Sequence, residues 1–182
     1  KKTFFENGIV AHVPMANPTC RILMDLSRDI LQNLNTKNSY GGTYLAMEGP
    51  QFSTKAESLL YKSWNCDVIG MTNIPEAKLA REAEIRYASI SMVTDFDSWS
   101  TEHEEVDLQI LLETMHKNVQ KSKNFIENFS NEYFSNIDFS SDTSSTVLDT
   151  SIVTQYENWN RDTEIKLSNI LKRFIKDNNV SR

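Results

Sequence analysis

Thr43-Tyr44-Leu45-Ala46-Met47-Glu48-Gly49-Pro50-Gln51-Phe52-Ser53-Thr54-Lys55-Ala56-Glu57-Ser58 is the stretch on which the fold turns. Its first five residues read as a short strand entered from the Ser39-Tyr40-Gly41-Gly42 turn. Gly49-Pro50 follows, and Phe52 falls in the loop behind it. Thr54 and Glu57 have the spacing of a capping box, in which each side chain satisfies the other residue's backbone N–H, so a helix starts here and runs to about Trp64. Strand, loop and helix make one βα step.

The same step recurs on both sides. Asp67-Val68-Ile69 is a brief apolar strand of the interior kind, and Asn73-Ile74-Pro75-Glu76 opens a helix with Pro75 in the first turn, where its missing N–H costs nothing. Tyr87 to Val93 predicts a further strand ending at Thr94. Upstream, Ile9-Val10-Ala11-His12-Val13 is a β-prone run closed by Pro14, and Asn17-Pro18 turns into a helix. That helix spans Thr19 to about Leu34, with Ile22, Leu23, Leu26, Ile30, Leu31 and Leu34 at helical spacing. Strands alternating with helices predict an α/β fold whose central mixed sheet is flanked by helices.

Beyond Trp99 a long helix is expected from about Glu104 to Phe129. Its stripe of Leu108, Leu111, Leu112, Met115, Val119, Ile126 and Phe129 suits docking on the sheet. Ser130 to about Gln155 turns to Ser, Thr, Asp and Asn and reads as a flexible surface insertion, residues 130–155. A last amphipathic helix, roughly Arg161 to Lys176, carries Leu167, Ile170, Leu171, Phe174 and Ile175.

A chain of 182 residues with 39% hydrophobic content buries one ordinary core and is short for two. The formal net charge of −6 argues against a nucleic-acid partner or a membrane surface, both of which need clustered Lys and Arg. The two cysteines, Cys20 and Cys66, have no framework spacing and read as free thiols in a reducing compartment. No apolar stretch is long enough to span a bilayer, and no signal-peptide pattern opens the chain.

The residues able to carry chemistry cluster after the strands, where open α/β sheets bind ligands. Phe52 in its loop either stacks on a ligand ring or plugs a core edge. Met71 fits the irregular apolar face of a sugar or belongs to the core, and the Thr72 hydroxyl beside a helix start is placed to help hold an anion. Asp95 and Asp97 point to opposite faces if the strand continues and flank one aromatic if the chain has entered a loop. Carboxylates there are costly to bury unless paired or hydrogen-bonded, so they either read a purine's amine and N7 or form a solvated turn with Asp95 as a helix cap. No His or Cys spacing of a zinc site accompanies them. His12 lies mid-strand, where a structural role is the usual one. His103 and His116 read as exposed, and Glu102 to Glu105 as a negative first helical turn.

Met47-Glu48-Gly49-Pro50-Gln51-Phe52-Ser53-Thr54-Lys55-Ala56-Glu57-Ser58, Asp67-Val68-Ile69-Gly70-Met71-Thr72 and Tyr87 to Trp99 together resemble the trimeric purine nucleoside phosphorylase family. Within it they resemble the 5′-methylthioadenosine phosphorylase branch. Ala11 to Pro18 and His103-Glu104-Glu105 share the resemblance, which runs from about Phe4 to Phe129. It implies phosphorolysis of the N-glycosidic bond of 5′-methylthioadenosine to adenine and 5-methylthioribose 1-phosphate in purine and methionine salvage. Inorganic phosphate is the co-substrate, with no metal or organic cofactor. The family's roles, carried to matching positions, make Asp95 and Asp97 the catalytic carboxylates that bind the purine, with Asp95 donating to N7 as the base leaves. Phe52 stacks on the base, Met71 covers the ribose and Thr72 helps hold phosphate. His12 reaches across a trimer interface to a neighbour's substrate, and Leu108 and Leu112 line the methylthio pocket. Asp at position 95 suits an adenine amine, where relatives that cleave inosine or guanosine carry Asn. The implied setting is cytoplasmic and also nuclear, and the implied assembly is a homotrimer without nucleic acid or membrane.

Three departures accompany the resemblance. Gly70 stands where relatives carry Asn. The 130–155 insertion breaks register, so the residue closing the 5′ pocket falls nearest to polar Asp177. The family's N-terminal phosphate loop and Arg-His ligands are absent from these residues, so 1–182 are expected to form the C-terminal part of a single phosphorylase domain, inactive alone and completed by an N-terminal segment or chain. The rival expectations are a purine nucleoside phosphorylase of broader base choice and a non-catalytic nucleoside-binding or assembly subunit.

Overall fold

A hydroxyl inside a helix has to find a carbonyl. In α1 (Arg21–Asn33) Ser27 does so by donating to Leu23 O at 2.6 Å, which lets it share a buried face with Leu23 and Ile30. The helix ends where Asn35 takes a left-handed conformation, φ 49°. The computed structural model describes residues 2–100, 108–133 and 137–175, with the side chains of Leu108, Ile110 and Tyr133 left aside. The expected start of the long helix, His103, the Glu102–Glu105 cluster and Asp177 lie outside the described residues.

Two compact units divide the chain, one from residues 1–21, 74–88 and 140–182, the other from residues 22–73 and 89–139. The second unit holds the deciding stretch. β1 (Tyr44–Ala46) pairs in parallel with β2 (Val68–Gly70) in the register Tyr44–Val68, Leu45–Ile69, Ala46–Gly70, and Met47 N–H extends the ladder to Gly70 O at 2.9 Å. α2 (Lys55–Ser63) makes the crossover that parallel strands require. Its expected capping box is present: Thr54 Oγ1 accepts from Glu57 N–H at 3.3 Å, and Glu57 Oε2 accepts from Thr54 N–H at 2.7 Å.

α3 (Ile74–Glu82) belongs to the first unit. Next in chain order come the long helix α4 (Leu108–Tyr133), in the second unit, and the short helix α5 (Arg161–Lys166), in the first. The core of the first unit joins Phe5 and Ile9 to Val147, Leu148, Leu167 and Leu171, with Val13, Ile152 and Trp159 packed around them.

The α/β class holds, and the structure corrects four details. Ile9 to Val13 is not a full strand: Ala11 forms an isolated antiparallel bridge with Ile152, flanked by His12 N–H to Ser151 O at 2.8 Å and Val153 N–H to Val10 O at 2.9 Å. Tyr87 to Val93 forms no strand pairing among the described residues. Its two ends are met otherwise, Tyr87 O by Cys20 N–H at 2.7 Å and Val93 O by Asn118 Nδ2 at 3.1 Å. Inside residues 130–155, Ser144–Thr150 forms a 3-10 helix with Val147 and Leu148 buried in the core just described, where a surface segment was expected. The last helix stops at Lys166 and resumes only over 172–175, because a run of turns lets Leu167 and Leu171 both enter that core.

α4 also differs from expectation. Leu112, Met115, Val119 and Ile126 of its stripe are exposed, and the buried residue is Phe125. Two strands of three residues cannot cover a helix about 39 Å long.

Candidate active site

Three turns leave the β1 end, the β2 end and the Val93 segment, and all three lie in the second unit. The first holds Glu48 to Ser53. Gly49 has φ +69° there, a conformation favoured by glycine, and the Gly49-Pro50 peptide is cis. A Cβ on Gly49 would lie 2.6 Å from Met71 Sδ, so the first turn and the second, Met71-Thr72-Asn73, are in direct contact. Phe52 projects from the first turn at 87% exposure, and Met71 is 38% exposed. An aromatic that bare is not plugging a core edge, which removes one of its two readings. Thr72 is exposed beside it in the second turn.

The third turn is a loop, not a strand, so Asp95 and Asp97 flank Phe96. Asp95 is exposed and accepts a short hydrogen bond from the Thr94 hydroxyl. Asp97 is half-buried and accepts on both oxygens: Oδ2 from Ser58 Oγ at 2.6 Å, Oδ1 from Ser98 N–H at 2.9 Å. Ser58 is fully buried on α2. One turn further along α2, Lys62 Nζ sits 3.4 Å from the centroid of the Trp99 ring, and Trp99 meets Phe96 edge-on at 5.9 Å. α2 therefore grips the third turn at two points while its N-terminal cap closes the first.

The first two turns touch at Gly49 and Met71, and the third is held at Asp97 by Ser58 of α2, the helix that follows the first turn. The arrangement presents an exposed aromatic, a thioether, a hydroxyl and two carboxylates from one unit. Such a set offers a stacking face, an apolar cover and hydrogen-bond acceptors to a ring bearing amines. The electrostatics of the rim favour the fold locally: accepting from the Thr54 backbone N–H and then its hydroxyl holds the Glu57 carboxyl below the usual carboxylate range.

Leu112, on α4, is exposed, while the side chain of Leu108 lies outside the described residues. His12 is in the first unit. It is exposed, its N–H is taken by Ser151 O, and it lines a cavity of about 290 Å³ with Lys2, Met15, Lys78 and Glu82. His116 is exposed on α4. Cys20 is buried and Cys66 half-buried, and neither is in a disulfide.

The structure adds two relationships that the sequence reading did not contain. Ser58 as the partner of Asp97 was signalled only by a small polar residue four positions after the Thr54 cap. Gly70 is matched by Tyr44: a Cβ at position 70 would fall 2.0 Å from the Tyr44 hydroxyl oxygen. The departure at Gly70 thus has a physical reason, since the phenol of the neighbouring strand fills the space of the missing side chain.

Comparison with known proteins places these residues in context. A family profile described as the phosphorylase superfamily matches residues 1–131. The S-methyl-5′-thioadenosine phosphorylase of Cereibacter sphaeroides is 56% identical over 125 residues, which cover 69% of this chain and 43% of that protein. The protein of the same name from Rhodospirillum rubrum is 50% identical over 127 residues, again 43% of its length. Among solved structures, a methylthioadenosine phosphorylase sourced from an antarctic soil metagenomic library superposes with a TM-score of 0.84 at 36% identity, over 94% of this chain and 60% of that one. Methylthioadenosine phosphorylase from Schistosoma mansoni in complex with adenine gives 0.72 at 28% identity, over 84% of this chain and 61% of that one. The chain spans less than half the length of these two sequence relatives.

Proposed function

The chain belongs to the phosphorylase superfamily, and from that premise we propose that it supplies the base- and sugar-binding part of a 5′-methylthioadenosine phosphorylase. The reaction is phosphorolysis. A phosphate oxygen bonds to C1′ of 5′-methylthioadenosine as the bond from C1′ to N9 breaks, giving adenine and 5-methylthioribose 1-phosphate for purine and methionine salvage. Inorganic phosphate is the co-substrate, and no cofactor takes part.

The observation that carries this reading is that one unit holds all three turns, the first two in contact at Gly49 and Met71 and the third tied at Asp97 to Ser58 of the helix that follows the first. Relatives named for this activity are similar to the chain over the same region at 50–56% identity. In the proposed site Phe52 stacks on adenine, Met71 covers the ribose and Thr72 helps hold the phosphate. Asp97 accepts from the base, and Asp95 protonates N7 as the glycosidic bond breaks. General-acid help to the leaving base, with an anion beside the cationic sugar, is how such a transition state is stabilised. Leu108 and Leu112 line the methylthio end, and His12 reaches a neighbouring subunit's substrate in a homotrimer. The proposed setting is cytoplasmic. Among the described residues no helix is long and apolar enough to cross a membrane.

The test is adenine release from 5′-methylthioadenosine by the protein expressed from its whole native reading frame, with and without phosphate. Release that requires phosphate and yields a sugar phosphate is expected. Release of free methylthioribose without phosphate, or binding of adenine with no turnover in phosphate, overturns the proposal.

A further inference from the structure

We propose that Ser58 is a positioning residue for base recognition: it fixes the Asp97 carboxylate, and through α2 ties that carboxylate to the loop that presents Phe52. The inference rests on the function proposed above and assigns a residue within that site.

The geometry is specific. Ser58 is fully buried, and its hydroxyl donates to Asp97 Oδ2 at 2.6 Å. Hydrogen bonds to a carboxylate are about twice as strong as those between neutral groups, and a buried donor has no water to replace its acceptor. The second oxygen is fixed by Ser98 N–H at 2.9 Å, so the plane of the carboxylate is set from two sides. Lys62 lies four residues from Ser58 and therefore on the same face of α2, where its ammonium caps the Trp99 ring. The grip on residues 97–99 is thus made by one helical face. That helix starts at the Thr54 cap, two residues after Phe52. A stacking ring and a hydrogen-bonding carboxylate that must meet one planar base are thus tied to a single rigid element, the ring through the loop that leads into its cap and the carboxylate through Ser58 one turn later. Asp95, by contrast, is exposed and engages only its neighbour Thr94 among the contacts described for it, which leaves it free to move a proton while Asp97 holds still.

The experiment is a double-mutant cycle on the full native protein, with Ser58→Ala, Asp97→Ala and the pair, read by kcat/KM for 5′-methylthioadenosine, by KM for phosphate and by hydrogen exchange at the Ser98 amide. Ser58→Ala is expected to lower kcat/KM about tenfold, the scale of one lost charge-assisted hydrogen bond, with phosphate KM unchanged. It should cause no further loss in the Asp97→Ala background, because its effect runs through that carboxylate. Ser98 amide exchange should quicken in Ser58→Ala toward its rate in Asp97→Ala. Ser58→Cys, which keeps the volume with a weaker donor, should fall between wild type and Ser58→Ala and guards against misfolding of the alanine variant. Losses that multiply in the double variant, or Ser98 exchange equal in wild type and Ser58→Ala, overturn the assignment. Absence of phosphate-dependent turnover in the wild type refutes the phosphorylase reading instead, and the exchange measurement still decides whether Ser58 orients Asp97.

Discussion

Gly49 lies so close to Met71 that a single added carbon, 2.6 Å from the thioether sulfur, cannot be accommodated without displacing it. Position 49 also has φ +69°, so alanine there meets backbone strain and a clash together. Gly49→Ala is expected to cost about 2 kcal/mol of stability and to raise KM for 5′-methylthioadenosine by displacing Met71, the residue proposed to cover the sugar. Urea unfolding and steady-state kinetics on the same preparation check both halves.

In the proposed site Asp95 decides the base. Asp95→Asn is expected to weaken turnover of 5′-methylthioadenosine and shift preference toward 6-oxopurine nucleosides, because an amide donates to a ring carbonyl where the carboxyl oxygen that does not protonate N7 accepts from an amine. The ratio of kcat/KM on 5′-methylthioadenosine to that on inosine is the measurement. Equal losses on both substrates would show that Asp95 does not read the base.

Tyr44 fills the space beside Gly70. Gly70→Asn should therefore destabilise the β1–β2 pair by about 1–3 kcal/mol, the usual range for overpacking. In a Tyr44→Ala background, where the phenol is gone, the same substitution should cost less. Additive losses in urea unfolding would contradict the shared space.

The Thr54–Glu57 box makes a pH prediction. Glu57 titrates below the usual glutamate range in the folded protein because Thr54 donates to its carboxylate, so the folded state binds that proton less readily than the unfolded chain. The stabilisation is fully present above the unfolded value of about 4.3 and is lost as pH falls through the lower folded value. Glu57→Ala should be less stable than wild type at pH 7, and the gap should narrow in acid. A gap constant from pH 7 to pH 3 would refute the linkage.

Leu148 has no exposed surface and sits in the core with Ile9 and Leu171. Leu148→Ala is expected to cost about 3 kcal/mol, a typical cavity penalty, seen as a lower thermal midpoint.

Much of the helical framework was legible from the sequence. Helical periodicity located α1 to within about two residues, the Thr54–Glu57 spacing gave the cap of α2, and Pro75 marked the start of α3. Tyr44–Ala46 fell inside the predicted strand over 43–47, and Val68–Gly70 lies one residue on from the predicted Asp67-Val68-Ile69. Tyr87 to Val93 shows the limit: β propensity names a segment fit for a sheet, but only a neighbouring strand turns it into one. Ser144–Thr150 shows another. Val147 and Leu148 are two apolar residues among hydroxyls, and their burial depends on Phe5 and Ile9 at the far end of the sequence. The site divides likewise. The side chains of the proposed site, Phe52, Met71 and Asp95, could be named from type and place. Pairings such as Ser58 behind Asp97 and Tyr44 beside Gly70 emerge only when separate segments are seen together.

The discontinuous first unit has a consequence for biosynthesis. Phe5 and Ile9 are translated more than 130 residues before the partners that shield them, Val147 to Leu171. For that interval the nascent chain carries greasy side chains with nowhere to hide, the kind of exposed apolar surface that chaperones bind.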